Sequence, residues 1–170
     1  MSLPSVESLI EKLTQALTPY FSSPESQPCI VGIETGGVWI AEQLHQRIAP
    51  NTELGRLNIS FYRDDFTRIG LHPTVKPSSL PTDIDDKTII LVDDVLQSGR
   101  TVRAAMNEIF DYGRPKKILL AILIDRGERE IPVQADFVGA TMQLDSGSHI
   151  KLEGPELLKL VTKTLENHVG

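Results

Sequence analysis

Apolar residues along this chain fall into two recurring patterns, one with helical spacing and one of short unbroken runs. Leu3, Val6, Leu9, Ile10, Leu13 and Leu17 recur at helical spacing, with Pro4 tolerable in a first turn. Pro19 to Pro28 is a breaker-rich connection. Ile30 to Ile33 is then a short apolar run rich in β-branched residues, followed by Glu34-Thr35-Gly36-Gly37. After the glycines, Val38, Ala41, Leu44 and Ile48 restore a helical period, so this stretch reads as strand, tight turn, helix. Leu57, Ile59 and Phe61 alternate with polar residues, as on a half-buried strand. Residues 62–86 have no sustained period and carry Pro73, Pro77 and Pro81; irregular stretches this long in a compact domain are usually functional.

Ile89 to Val92 is a second apolar strand, closed by Asp93 and Asp94. Val102, Ala105, Met106, Ile109 and Phe110 give the next helix its predicted buried face, and Gly113-Arg114-Pro115 ends it. Leu119 to Ile124 is a third buried strand, ending in Asp125-Arg126. Strands apolar throughout, alternating with helices, predict an α/β fold with a parallel sheet covered on both faces. Past Pro132 the elements shorten: Met142 to Leu152 predicts a hairpin around Asp145 to Ser148, and Gly154-Pro155-Glu156 predicts the start of a last helix. With no internal repeat or linker, residues 1–170 read as a single domain.

Composition narrows the function classes. A net charge of −6 over 170 residues argues against a general nucleic-acid binder, although a local basic patch needs only local charge. The single cysteine, Cys29, forms no intrachain disulfide and reads as a buried strand residue. His45, His72, His149 and His168 are scattered without ligand spacing, and Trp39 reads as a packing aromatic. No basic segment followed by an apolar run opens the chain and no stretch reaches spanning length, so the expected location is the cytoplasm.

The chemistry concentrates at strand ends. In an open parallel sheet, ligands bind beyond the carboxyl ends of the strands. One candidate is Thr35-Gly36-Gly37; the stronger is Asp93-Asp94 followed by Gln97-Ser98-Gly99-Arg100-Thr101. Ser98 and Thr101 flank a glycine where a helix begins, so unpaired N–H groups and the helix dipole favour an anion there. Adjacent carboxylates repel, so keeping Asp93 and Asp94 together needs a use, such as holding a sugar diol or coordinating Mg²⁺. Neither the Gly-x-x-x-x-Gly-Lys-[Ser/Thr] phosphate loop nor the Gly-x-Gly-x-x-Gly dinucleotide fingerprint occurs.

A hydrophobic strand, two acids, two apolar residues, a hydroxylic glycine turn and a threonine resemble the phosphoribosyl pyrophosphate (PRPP) motif of type I phosphoribosyltransferases. With Tyr62-Arg63-Asp64-Asp65, Gly99 to Ala105, Gly113 to Pro115 and Ile124 to Pro132, the chain resembles the PyrR family of pyrimidine operon attenuation proteins with uracil phosphoribosyltransferase activity. The resemblance runs from about residue 30 to residue 140. It implies the type I phosphoribosyltransferase fold: a central, mostly parallel sheet, helices on both faces and a small hood. It implies that uracil and PRPP give UMP and pyrophosphate with Mg²⁺, held by PRPP and by Asp93 and Asp94. Those two acids would be catalytic, and Gln97, Ser98, Gly99, Arg100 and Thr101 would take the 5′-phosphate. Thr35, Gly36 and Gly37 would form the pyrophosphate loop, where a strained or cis peptide is expected. Arg63, Asp64 and Asp65 would open a flexible loop, and Asp125 and Arg126 would line the uracil side. A homodimer or higher homo-oligomer is expected from the family.

The chain also departs from the family pattern. Purine-using relatives commonly place a further Asp where this chain reads Leu96-Gln97, which favours a pyrimidine. Family regulators often carry Lys and Arg around the loop threonine; here Glu34 and Gly36 stand there. RNA-binding members read His-Arg-Glu-Leu-Pro-Ile-Arg and Gly-Lys, against Glu128 to Gln134 and Gly139-Ala140 here, so three basic or protonatable groups are lost. Residues 100–129 nonetheless hold seven bases (Arg100, Arg103, Arg114, Lys116, Lys117, Arg126, Arg129) and four acids (Glu108, Asp111, Asp125, Glu128), a local charge of +3. Part of that charge is expected to serve PRPP. Leader RNA is the less supported partner, because each lost phosphate contact weakens RNA binding.

Overall fold

The computed structural model describes residues 2–59 and 77–164. Its first helix, α1 (Val6–Leu17), begins after Ser5, whose hydroxyl accepts the Ser8 N–H at 3.4 Å, so Pro4 precedes the helix. Val6, Leu9, Ile10, Leu13 and Leu17 form its buried stripe. Strand β1 (Cys29–Ile33) is buried throughout and passes almost directly into α2 (Gly36–Ile48). Strand β2 (Gly55–Leu57) follows, then β3 (Thr88–Leu96), α3 (Arg100–Tyr112), β4 (Lys117–Asp125) and β5 (Phe137–Thr141).

These strands form a five-stranded sheet in the order β2-β1-β3-β4-β5, with every pairing parallel. Strand alternation splits the core in two. Ile30, Ile90, Val92, Leu119, Ala121 and Leu123 share one cluster with α1 and α2. Val31, Ile33, Ile89, Leu91, Leu120 and Ile122 share the other with Val102, Ala105 and Ile109 of α3. Helices therefore cover both faces, which explains the unbroken apolar strands. Successive strands lie on opposite sides of β1, so the topological switch point falls between β1 and β3.

The chain ends in an antiparallel hairpin, β6 (Ser148–Glu153) and β7 (Lys159–Thr164), paired from Ser148↔Thr164 to Glu153↔Lys159. This corrects the sequence expectation in two ways. The Asp145–Ser148 turn exists, with Ser148 N–H donating to Asp145 O at 3.0 Å, but it leads into the hairpin instead of closing one. Gly154-Pro155-Glu156 lies in the link between β6 and β7 and opens no helix. The β-branched Val161, Thr162 and Thr164 favour a strand, and pairing with β6 turns Leu160 into the core while leaving Leu157 78% exposed. Ile150, Leu152 and Leu160 anchor the hairpin in the core of α1 and α2, where Trp39 also packs, beside Gly154. Phe110 is a second correction: it is 57% exposed, one position past Ile109 and off the face that meets the sheet.

Candidate active site

Two loops meet at the switch point. The first follows β1, where the Glu34–Thr35 peptide is cis, as the resemblance implied for this loop. The second runs from the end of β3 into α3. They are in direct contact: a Cβ on Gly36 would overlap the Asp94 carboxylate, and one on Gly37 would lie 2.6 Å from Val92 O. Glycine here lets the first loop pack against the acid pair.

Asp93 is only 6% exposed, and its Oδ1 accepts the Asp94 N–H at 2.9 Å. Asp94 Oδ1 accepts the Val95 N–H at 2.9 Å, which orients the carboxylate beside Gly36. Both acids line a cavity of roughly 300 Å³ that continues along Gln97, Ser98, Gly99, Thr101 and Val102. Its far side is Ile150 and Lys151 of β6. Sequence reasoning missed those two; Ile150-Lys151-Leu152 shows strand alternation, but only the fold brings it to β3. Among the described residues no cluster of three metal-ligating side chains occurs. Two carboxylates beside an anion cradle suit Mg²⁺, which commonly takes one or two carboxylates plus substrate oxygens.

The cradle's turn depends on Gly99, whose φ of 90° lies in the left-handed region. Helix α3 starts at the next residue, so its first N–H groups lack partners within the helix. Ser98 Oγ accepts one of them, from Arg100, at 3.2 Å. Arg100 itself does not line the cavity; its exposed guanidinium pairs with Glu130. Gly36 and Gly37 lie against the acid pair, and neither they nor Thr35 is among the residues that line the cavity.

Asp125 and Arg126 also stand outside the cavity lining. Asp125 is gripped by Arg129 at 2.7 and 2.9 Å and accepts the Gly127 N–H at 2.8 Å. The Arg129 hydrogen bonds hold its carboxyl below the ordinary range, against the opposing effect of partial burial. Arg126 is buried, bonded to Gln97 Oε1 at 3.2 Å and paired with Glu128 at 3.2 Å. The segment after β4 thus braces the Gln97–Thr101 turn, an arrangement that no spacing in the sequence announces. Arg63, Asp64 and Asp65 lie outside the described residues.

Residues 3–156 match the family described as "Phosphoribosyl transferase domain". The chain is 48% identical over 166 residues to "Bifunctional protein PyrR" of Pseudomonas paraeruginosa, covering 97% of this chain and 98% of that protein. It is 50% identical over 158 residues to the protein of the same name from Nitrosococcus oceani, covering 91% and 89%. Among solved structures it is similar to a hypoxanthine-guanine phosphoribosyltransferase of Bacillus anthracis, with a TM-score of 0.65, 23% identity and coverage of 84% and 83%. A hypoxanthine phosphoribosyltransferase of Staphylococcus aureus gives a TM-score of 0.64 at 20% identity, covering 84% and 75%. At that identity the solved structures establish the fold alone.

Proposed function

Because this chain belongs to the PyrR family of phosphoribosyltransferases, we propose that it transfers the phosphoribosyl group of PRPP to N1 of uracil, giving UMP and pyrophosphate in the cytoplasm. The observation that carries the reading is the cavity at the switch point, where a helix-start anion cradle adjoins two carboxylates. The bond from ribose C1′ to pyrophosphate breaks as the bond to N1 forms, and N1 gives up its proton to the departing pyrophosphate or to solvent; because bond breaking leads, positive charge develops on the ribose. Asp93 and Asp94 are placed to hold the ribose hydroxyls and stabilise that charge. At an effective dielectric near 20, a carboxylate about 5 Å from the cation supplies about 3 kcal/mol, roughly two orders of magnitude in rate. The Gln97–Thr101 turn anchors the 5′-phosphate and so fixes the ribose for attack. The backbone of Thr35, Gly36 and Gly37, with Gly36 against Asp94 and Gly37 against Asp93, receives the pyrophosphate. Mg²⁺, bound with PRPP and held by Asp93 and Asp94, would offset the leaving group's charge.

A pyrimidine acceptor is favoured because Asp93 and Asp94 are the only carboxylates among the described cavity residues; Leu96 is buried and Gln97 bonds to Arg126 and Glu128. The test is direct: purified protein, PRPP, Mg²⁺ and labelled uracil should yield UMP, with hypoxanthine and guanine as competing acceptors. PRPP binding without turnover, or a purine preference, would overturn the reading.

A second role in regulating a pyrimidine operon through leader RNA rests on the relatives' name, which is bifunctional. Arg103, Arg114, Lys116 and Lys117 are exposed and have no ion-pair partner among the described residues, which makes them the contacts to test. Binding of leader RNA with a salt slope that falls by about one per substituted base would support it; sequence-independent binding lost at moderate salt would refute it.

A further inference from the structure

We propose that Arg126 is a positioning residue for phosphate binding, acting through Gln97 from behind the cradle, with Glu128 as the counter-ion that keeps it there. The inference builds on the reading above only in placing a phosphate in the turn.

The segment after β4 folds back against the end of β3. Arg126 N–H donates to Leu96 O at 2.9 Å, and the N–H groups of Glu130 and Ile131 donate to Ser98 O at 3.0 and 3.3 Å. Between these anchors, Arg126 NH1 donates to Gln97 Oε1 at 3.2 Å and NH2 pairs with Glu128 at 3.2 Å. Gln97 Nε2 closes the ring by donating to the same Glu128 oxygen at 2.9 Å. The Arg126 side chain is 5% exposed, and its buried Nε has no hydrogen-bond partner among the described residues. The guanidinium is therefore oriented by Gln97 and Glu128. Glu128 reaches that position through a left-handed backbone (φ 52°), after Gly127 at φ 75°. A residue with a Cβ adopts that conformation at a cost, and here the tight reversal aims its carboxylate back at Gln97. A second guanidinium, that of Arg129, donates to Gln97 O at 3.0 Å while gripping Asp125.

Gln97 lines the cavity, whereas Arg126, Glu128 and Arg129 do not. The cations therefore contribute no direct substrate contact. They fix where the backbone of Gln97 and Ser98 sits, and an anion site made of N–H groups depends on that placement within fractions of an ångström.

A double-mutant cycle tests this with Arg126→Lys and Gln97→Met. Lysine keeps a buried charge opposite Glu128 but loses the fork that reaches Gln97 as well. Methionine keeps the volume of Gln97 and removes its amide. The ligand is ribose 5-phosphate, followed by calorimetry, which needs neither uracil nor turnover. Each single variant should weaken binding about tenfold, and the double should be no weaker than the worse single, because both remove one linkage. For PRPP, the loss should fall on KM, with kcat within about threefold. Losses that multiply to about a hundredfold would overturn the proposal, as would wild-type affinity in Arg126→Lys. A purely structural role would lower the melting temperature yet leave the ligand-induced rise in it unchanged, and that result would also count against the proposal. Absence of uracil turnover with the cycle intact would defeat the uracil reading alone; a wild type that fails to bind ribose 5-phosphate would defeat both.

Discussion

Gly99→Ala isolates the geometry of the turn proposed to bind phosphate. The residue has φ 90°, and an added Cβ would meet Ile131 Cγ1 at 3.0 Å and Val133 Cβ at 3.2 Å. The left-handed conformation costs a residue with a Cβ about 1–2 kcal/mol. Ile131 and Val133 are β-branched and stiff, so the crowding adds about 1 kcal/mol more. The smaller entropy of the unfolded alanine chain returns about 0.4–1 kcal/mol. The net loss is about 2 kcal/mol, which for a chain of this size lowers the melting temperature by about 4–8 °C. Urea unfolding gives the first number, and calorimetry with ribose 5-phosphate shows whether the turn has moved. Adding Ile131→Ala removes the Cγ1 contact but not the φ, so, measured against Ile131→Ala alone, the double variant should recover only part of the lost stability. Wild-type stability in Gly99→Ala, or full recovery in the double variant, would refute the assignment of the cost to backbone conformation.

Asp94→Asn should keep the Val95 N–H acceptor and fold normally, yet lose roughly two orders of magnitude in kcat; near-wild-type turnover of uracil would contradict its electrostatic role. Asp125 is held below the ordinary carboxylate range by Arg129, so its contribution to stability is full above about pH 4 and is lost as pH falls through the lowered value. Asp125→Asn should therefore flatten the acid limb of the stability profile, and an unchanged limb would discount the pair. Burial pushes the Cys29 thiol from 9.0 up to about 11. The unfolded thiol ionises first, so stability should fall as pH rises between 9 and 11, and alkylation of Cys29 should require unfolding; rapid labelling of the native protein would show otherwise. Lys151 is the only cation among the described residues that line the cavity, and Lys151→Gln should weaken UMP binding severalfold while leaving the hairpin folded, because its neighbours Ile150 and Leu152 carry the packing.

The parts legible in the sequence share one property: their signals are local. Ile30–Ile33, Ile89–Val92 and Leu119–Ile124 are apolar throughout because helices cover both sheet faces, and such runs need no partner to be recognised. The acid pair and the glycine turn are contiguous, so they too could be read before their surroundings were known. What failed depended on distant partners. Lys159–Thr164 becomes a strand because β6 offers an edge, and Phe110 is left exposed because the sheet takes the Val102, Ala105 and Ile109 stripe of α3, one helical step away. Arg126, Glu128 and Arg129 carry no periodicity, and their roles depend on a reversal at Gly127 that brings them back over a turn about thirty residues earlier.

The distribution of charge shows the same division. Residues 100–129 looked basic, and part of that excess was expected to serve PRPP. In the fold, three of the seven bases are matched locally: Arg100 by Glu130, Arg126 by Glu128 and Arg129 by Asp125. None of the seven lines the cavity. On the proposed reading, a 5′-phosphate in the turn would be met chiefly by N–H groups, the hydroxyls of Ser98 and Thr101 and the start of α3, with Arg100, Arg126 and Arg129 paired to acids outside the cavity. A cradle of that kind would gain its affinity from fixed geometry more than from net charge, which is why the proposed braces Arg126 and Glu128 would matter to it from outside the cavity lining.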